Sequence, residues 1–166
     1  MRLKPIGREG LPRALQKAER YRLLNQPWAA ESICLDILEV EPAHQEALVM
    51  LILAITDQLR QSLGPGVTRA RELLPRLTSD YQREYYAGII AERRALAELE
   101  EGAHGAGHNA HSWLSEAMAA YERAERLKPA GNDDATLRWN TCARLIRARS
   151  ELKPRPEPGY EPALED

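Results

Sequence analysis

The amino-acid sequence predicts an all-α protein with seven helices in one domain. Alanine, leucine, glutamate and arginine dominate the chain, and all four favour helices. Phenylalanine is absent, and no Asn-Gly or Asp-Gly hairpin turn separates two strand-like segments. Apolar residues instead recur at helical spacing. With 166 residues, the chain is long enough to bury a core without disulfides or a metal.

Proline residues divide the first third of the chain into three predicted helices. The first runs from about Arg8 to Asn25, and Pro27 opens a second that ends near Val40. Pro42 precedes the third, which extends from Ala43 to about Leu63. This third helix is apolar on nearly every side, so we expect it at the centre of the fold. Its apolar residues include Leu48, Met50, Leu51, Ile52, Leu53 and Ile55.

Four further helices complete the prediction. A break at residues 64–66 precedes a short fourth helix, and Ser79 with Gln82 has the spacing of a capping box that starts a fifth helix, ending near Glu101. The glycine-rich residues 102–109 predict a flexible loop before a sixth helix over 110–127. Asn132 or Asp133 caps the seventh. Residues 1–152 form the predicted domain, and the proline-rich tail 153–166 is predicted to be disordered.

One pattern of side chains recurs along the chain. The second helix has a small residue, larger residues four and seven positions later, and a proline after five more; the sixth helix repeats these steps, and the fourth repeats all but the proline. The small residue lets two helices approach closely, and the proline forces the exit turn. The three sets are Ala30, Cys34, Ile37 and Pro42; Ala117, Tyr121, Ala124 and Pro129; and Ala70, Leu74 and Leu77.

The preceding helices carry the complementary half of the pattern, a small residue three positions before a larger one. Ala18 with Tyr21 and Gly88 with Ala91 show this step. The combined pattern resembles the tetratricopeptide repeat, and residues 11–44 span the 34 residues of one such unit. Further units cover about 45–78 and 79–130, followed by a capping helix at 132–150. The chain departs from the repeat at Ala14 and Ile52, and by an insertion of about 17 residues in the third unit.

The resemblance implies a superhelical stack in which the first helix of each pair lines a concave groove. Such a protein is expected to be a non-catalytic scaffold that binds a protein or peptide segment. Co-chaperones of this family that clamp an acidic C-terminus have lysine and asparagine where this chain has Leu15 and Glu19, which argues against that clamp. The implied groove residues are Glu19, Arg22, Asp57, Tyr85, Ile89, Glu92 and Arg93. The implied packing residues are Ala18, Tyr21, Ala30, Cys34, Pro42, Ala70, Leu74, Gly88, Ala117, Tyr121, Ala124, Pro129 and Trp139.

Several interpretations stay open at this point. Tyr85 and its neighbour Tyr86 are either a binding hot spot or packing residues between repeats. The groove could instead hold a second copy of the chain, which would make the protein a homo-oligomerisation module. The basic strip from Arg138 to Arg155 is either a solvated helix end or an anion-binding patch for nucleic acid. The formal net charge of −2 argues against nucleic acid.

Catalytic and cofactor motifs are absent from the sequence. It has no Gly-x-Ser-x-Gly, phosphate-binding loop or His-Glu-x-x-His, so we expect neither an enzyme nor a bound cofactor. His104, His108 and His111 could bind zinc or nickel, but a glycine-rich loop would lose much entropy in forming such a site, and a solvated loop is the alternative.

Two lone cysteines and the absence of targeting signals predict the compartment. Cys34 and Cys142 lie among apolar neighbours in helical patterns, which predicts buried free thiols in a reducing environment. The first residues have no apolar stretch that resembles a signal peptide, and the most apolar window covers only residues 47–55. We therefore expect a cytoplasmic protein that does not bind membranes.

Overall fold

The computed structural model describes residues 2–59 and 65–156, and within these ranges the chain is helical without any β-strand. The all-α prediction is therefore confirmed. None of the helices in these ranges is both long and apolar enough to cross a bilayer. The helices are α1 (Leu11–Leu23), α2 (Pro27–Val40), α3 (Gln45–Asp57), α4 (Pro65–Leu73), α5 (Asp80–Glu101), α6 (Ala106–Leu127) and α7 (Asp134–Ala148), with 3-10 turns at Arg8–Gly10 and Leu74–Arg76.

Polar side chains accept hydrogen bonds from backbone N–H groups at the start of three of these helices. Ser79 accepts a hydrogen bond from the backbone N–H of Gln82 at 3.3 Å, which confirms the predicted cap of α5. The His44 ring nitrogen Nδ1 accepts from the N–H of Ala47 and does the same for α3. Before α7, the Asn132 side chain accepts from the N–H of Asp134 at 2.9 Å. Local side-chain chemistry therefore fixes where these helices begin.

The connection between α5 and α6 differs from the prediction. The expected loop over 102–109 is confined to residues 102–105, with Gly102 and Gly105 in the left-handed region, and α6 already begins at Ala106. The long insertion thus appears as extra turns on two 22-residue helices rather than as a loop. A β-carbon on Gly107 would overlap the carbonyl oxygen of Glu151, so glycine here lets the segment after α7 cross the start of α6.

Two other segments differ from their predicted bounds. The third helix ends at Asp57 rather than near Leu63, and Leu63 and Gly64 lie outside the described residues, as does 157–166 of the predicted disordered tail. The start of that tail has defined contacts. Lys153 and Arg155 bond to α6 through His108 Nδ1 and the Asn109 side chain, both at 2.9 Å.

The helices pack in sequence, and alternate helices also contact each other. Each helix packs against the next, and α1 also contacts α3 while α3 contacts α5. α7 meets α5 through an ion pair between Arg138 and Glu92. α3 is buried on several sides, as its apolar sequence predicts, and lies between α1 and α5. The odd-numbered helices α1, α3 and α5 therefore stand side by side, and this row provides the surface analysed below.

α5 and α6 approach closely where Gly88 of α5 faces Tyr121 of α6. A β-carbon on Gly88 would lie 2.6 Å from Cδ1 and 2.9 Å from Cζ of the tyrosine ring. The ring is fully buried, and its hydroxyl donates to a Glu92 carboxylate oxygen at 2.6 Å. The missing side chain at Gly88 therefore makes room for an aromatic ring that reaches one helical turn further along α5.

Candidate functional site

Three of the predicted groove residues meet on the face shared by α1, α3 and α5. Arg22 of α1, Asp57 of α3 and Arg93 of α5 line a cavity of about 390 Å³. Arg22 and Arg93 lie 35 residues before and 36 residues after Asp57 in the sequence. The remaining lining residues are Asn25, Pro27, Thr56, Leu59 and Leu96.

Asp57 is the centre of this cluster and binds both arginines. Arg22 Nε donates to one carboxylate oxygen at 2.7 Å, and Arg93 Nη1 lies 2.8 Å from the other. Arg93 Nη1 also donates to Thr56 Oγ1 at 2.6 Å and to the Leu53 carbonyl at 2.9 Å. The shared carboxylate therefore holds one end of each guanidinium in place across three helices.

The cluster carries a net positive charge, because two guanidinium groups share one carboxylate. Burial lowers the pKa of Arg93, and the Asp57 carboxylate acts in the opposite direction. Arginine stays protonated at neutral pH even so. Since about a fifth of the Arg22 side chain and of the Arg93 side chain is exposed, solvent-borne groups can reach both cations.

A second cavity of about 390 Å³ lies on the same three helices. Glu19, another predicted groove residue, stands at its edge on α1, and Met50 and Tyr86 provide apolar surface from α3 and α5. Met50 also borders the arginine cluster, because Arg22 Nη1 lies 3.8 Å from its sulfur. The two cavities are therefore neighbours, one polar and one more apolar. The other residues of the second cavity are Leu15, Gln45, Glu46, Val49 and Gln82.

The tyrosines of α5 divide between packing and the groove. Tyr85 stacks on Tyr81 at 5.7 Å, meets Tyr86 edge-on at 5.2 Å and approaches Tyr121 at 5.9 Å. Burial raises the pKa of both Tyr85 and Tyr86. Tyr85, the predicted groove residue, is thus part of an aromatic cluster, whereas Tyr86 lines the second cavity.

Ile89 and Glu92 depart from the predicted groove. Both are buried, Ile89 within the core formed mainly by α5, α6 and α7. Glu92 accepts from the Tyr121 hydroxyl and lies 3.2 Å from Arg138 Nε, which satisfies its charge inside the protein. Burial, followed by this neighbouring carboxylate, raises the pKa of Tyr121. Tertiary contacts from α6 and α7, which helical spacing alone does not reveal, therefore remove both residues from the open face.

Most of the predicted packing residues are buried. These are Ala18, Ala30, Cys34, Ala70, Gly88, Ala117, Tyr121 and Ala124. Tyr21, Leu74 and Trp139 are partly buried, and Pro42 and Pro129 lie exposed at helix exits. Trp139 also donates from Nε1 to Glu122 at 3.0 Å. Trp28, at the start of α2, is 67% exposed.

The structure disperses the basic strip from Arg138 to Arg155. Arg138 points to Glu92 on α5, Arg149 lies 4.0 Å from Glu151, and Arg155 donates to Asn109. Arg144 and Arg147 remain exposed on α7. Arg138, Arg149 and Arg155 therefore face three different neighbours.

The three histidines are divided between two elements. His104 is exposed in the turn after α5, whereas His108 and His111 lie on α6, and His108 Nδ1 contacts the Lys153 carbonyl. No group of three or more His, Cys, Asp or Glu side chains within residues 2–59 and 65–156 could hold a metal ion. Burial raises the pKa of the free thiols Cys34 and Cys142 to about 12, so neither forms much thiolate at neutral pH.

Several residues of the two cavities escape prediction from the groove pattern. Gln82 and Tyr86 precede the predicted Arg93 at steps of four and seven along α5, which places all three on one face. On α1, Leu15 precedes the predicted Glu19 and Arg22 at steps of four and three. The helical spacing of these residues is therefore the sequence signal that could have identified them. Comparison of the chain with protein-family models, with curated proteins and with solved structures finds no match in any of the three.

Proposed function

We propose that this protein is a non-catalytic scaffold that binds a segment of another protein along the face of α1, α3 and α5. The proposal includes a tetratricopeptide-like stack, in which helix pairs α1–α2, α3–α4 and α5–α6 repeat and α7 caps the end. The contacts of α1 with α3 and of α3 with α5 support this order, as do the buried small residues between helices. Two free, buried thiols fit a reducing compartment, and we propose the cytoplasm.

The observation that carries the proposal is the cluster of Arg22, Asp57 and Arg93 beside an apolar cavity. Ligand sites typically combine apolar lining with a few fixed polar groups that set orientation. Here Asp57 fixes both guanidinium groups, while each retains further N–H donors and partial exposure. Met50 and Tyr86 add apolar surface within the neighbouring cavity. A bound segment would place a hydrogen-bond acceptor on the arginines and an apolar side chain beside Met50.

Site-specific cross-linking tests this proposal. A photoreactive amino acid replaces Leu96, which is partly exposed at the edge of the arginine cavity, and in a matched control it replaces Leu127, which is exposed at the end of α6. After irradiation in the native cell, we expect a protein adduct from position 96 that position 127 does not give. Mass spectrometry identifies the adduct, and the purified partner is then titrated against the purified protein.

The titration uses variants that remove single cations. Arg93→Met is expected to raise the dissociation constant by about tenfold or more, since it removes charge-assisted hydrogen bonds. Arg126→Met, which removes an exposed cation on α6, is expected to leave binding unchanged. Equal binding by both variants would refute the groove. An adduct only to a second copy of this chain, together with a dimer in light scattering, would replace the scaffold by the homo-oligomerisation module.

A further inference from the structure

A second surface lies on the outer face of α1. Arg13, Lys17 and Arg20 follow one another at helical spacing and line a cavity of about 490 Å³ with Gln16, Tyr21 and Leu24. At about 100° per residue, Arg22 points away from this row by roughly 140–180°. The outer surface is therefore separate from the groove that contains Arg22.

The three cations of this row have no acidic partner among the described residues, whereas most arginines elsewhere are paired. Lys17 lies over the Tyr21 ring, whose centroid is 6.0 Å from the ammonium nitrogen. Like charges three and four residues apart destabilise a helix. Arg13 also stands in the first turn of α1, where the helix dipole disfavours a cation and where no acidic residue is present. The row is therefore unfavourable for the isolated protein.

Large apolar side chains are exposed at the turn between α1 and α2, and one of them lines this cavity. Leu24 lines the cavity with the cations and is 60% exposed, while Leu23 and Trp28 are 82% and 67% exposed. These three belong to the eight large hydrophobic side chains that are exposed in the described part of the chain. The other five, Leu3, Leu35, Leu96, Leu127 and Leu137, are scattered over different elements. Cations and apolar groups thus share one region, which is typical of an interaction surface.

We propose that the outer face of α1 binds an acidic segment of a partner protein, with carboxylates on Arg13, Lys17 and Arg20 and an apolar side chain against Leu24. Charge complementarity selects this occupant, because the row contains three cations and no acid. The cavity between the cations also offers a recess for carboxylate side chains, and exposed Leu24 provides an apolar contact within it. This surface does not depend on the groove and binds independently of it.

Peptide selection provides the test. A random peptide library is displayed on phage and selected on the immobilised full chain, and again on the charge-reversed variant Arg13→Glu/Lys17→Glu/Arg20→Glu. A control variant, Arg126→Glu/Arg144→Glu/Arg147→Glu, has the same net charge but alters exposed cations of α6 and α7. Circular dichroism verifies that both variants keep the helical content of the original chain, as expected for exposed positions.

We expect the original chain and the control to enrich peptides with several Asp or Glu residues beside Leu, Trp or another apolar residue. The α1 variant is expected to lose these peptides and bind them at least about tenfold more weakly, since each exposed ion pair contributes up to about fivefold. The groove variant Arg22→Met/Arg93→Met should retain them. Equal loss in the control, or enrichment without acidic residues, would overturn the proposal.

The same proteins are sedimented with vesicles of phosphatidylcholine containing phosphatidylserine. The proposal requires that acidic peptides are selected and that vesicle binding is weak. Vesicle binding that depends on the α1 cations, without any selected acidic peptide, would assign the surface to an anionic membrane and refute the peptide partner. Because the groove variant is tested in parallel, failure of the groove and failure of this surface give different results.

Discussion

Replacing Gly88 by alanine should destabilise the protein, although alanine is the better helix former. The new β-carbon would lie 2.6 Å from Cδ1 of Tyr121, a fully buried ring that has little room to move. Overpacking of this kind costs about 1–3 kcal/mol. If the ring shifts, its hydroxyl also leaves the Glu92 carboxylate, and a hydrogen bond to a charged group contributes about 1.5–3 kcal/mol. Alanine recovers about 1 kcal/mol of helix propensity.

The net expectation for Gly88→Ala is a loss of about 1.5–5 kcal/mol in the free energy of unfolding, taking the overpacking and hydrogen-bond losses less the helix propensity. Urea denaturation followed by circular dichroism measures this loss, and thermal unfolding should show a lower midpoint. Gly10→Ala is the matched control, because no atom lies within 4 Å of a β-carbon at Gly10. Its stability should remain within about 0.5 kcal/mol of the original chain.

A double-mutant cycle isolates the cause. In a Tyr121→Leu background the aromatic ring is gone, so the second substitution at Gly88 should cost much less or even stabilise the helix. An alanine variant as stable as the original chain would refute the close approach of α5 and α6. If Gly88→Ala lowers the free energy of unfolding by the same amount in the Tyr121→Leu background, the tyrosine ring is not the cause of the loss.

Three further changes probe the buried polar groups. Tyr121→Phe keeps the ring but removes a donor from the Glu92 carboxylate, so urea denaturation should show a loss of about 1.5–3 kcal/mol. Asp57→Asn leaves two arginines facing each other at a partly solvated site, and we expect a loss of about 1–3 kcal/mol that becomes smaller in 1 M salt. The pKa of Cys34 rises from 9.0 to about 12 on folding, so the unfolded chain releases this proton first. The free energy of unfolding should therefore be unaffected by Cys34 below pH 9 and fall by up to about 1.4 kcal/mol per pH unit above it, a slope that Cys34→Ala should reduce. An unchanged slope in that variant would contradict the burial of the thiol.

The sequence predicts much of the fold because local signals determine it. Pro27 begins α2 and Ser79 caps α5, and both lie where their patterns indicate. The α5–α6 connection could not be predicted in the same way, since glycines at 102–107 are typical of a loop. Gly107 is instead required by a contact with residue 151, which is distant in sequence. Long-range contacts of this kind have no local signature.

The candidate site follows the same division between local and long-range information. Arg22, Asp57 and Arg93 are spaced by 35 and 36 residues, near the 34-residue period that the sequence pattern resembles, so a common face could be predicted for them. Their sharing of one carboxylate could not, because it depends on how three helices approach. Glu92 shows the opposite case. It has groove-like spacing, but Tyr121 and Arg138 from two later helices enclose it.

The arrangement of α1 explains how one short helix can provide two separate surfaces. As the first helix of the described row it has a neighbour, α3, on one side, and no earlier helix pair covers its other side in the described part of the chain. Arg22 points to α3 and is neutralised by Asp57, whereas Arg13, Lys17 and Arg20 face outward without acids. The same residue type therefore differs in role according to its helical position. A cation facing α3 is held by a carboxylate, and a cation facing away from it stays exposed to solvent.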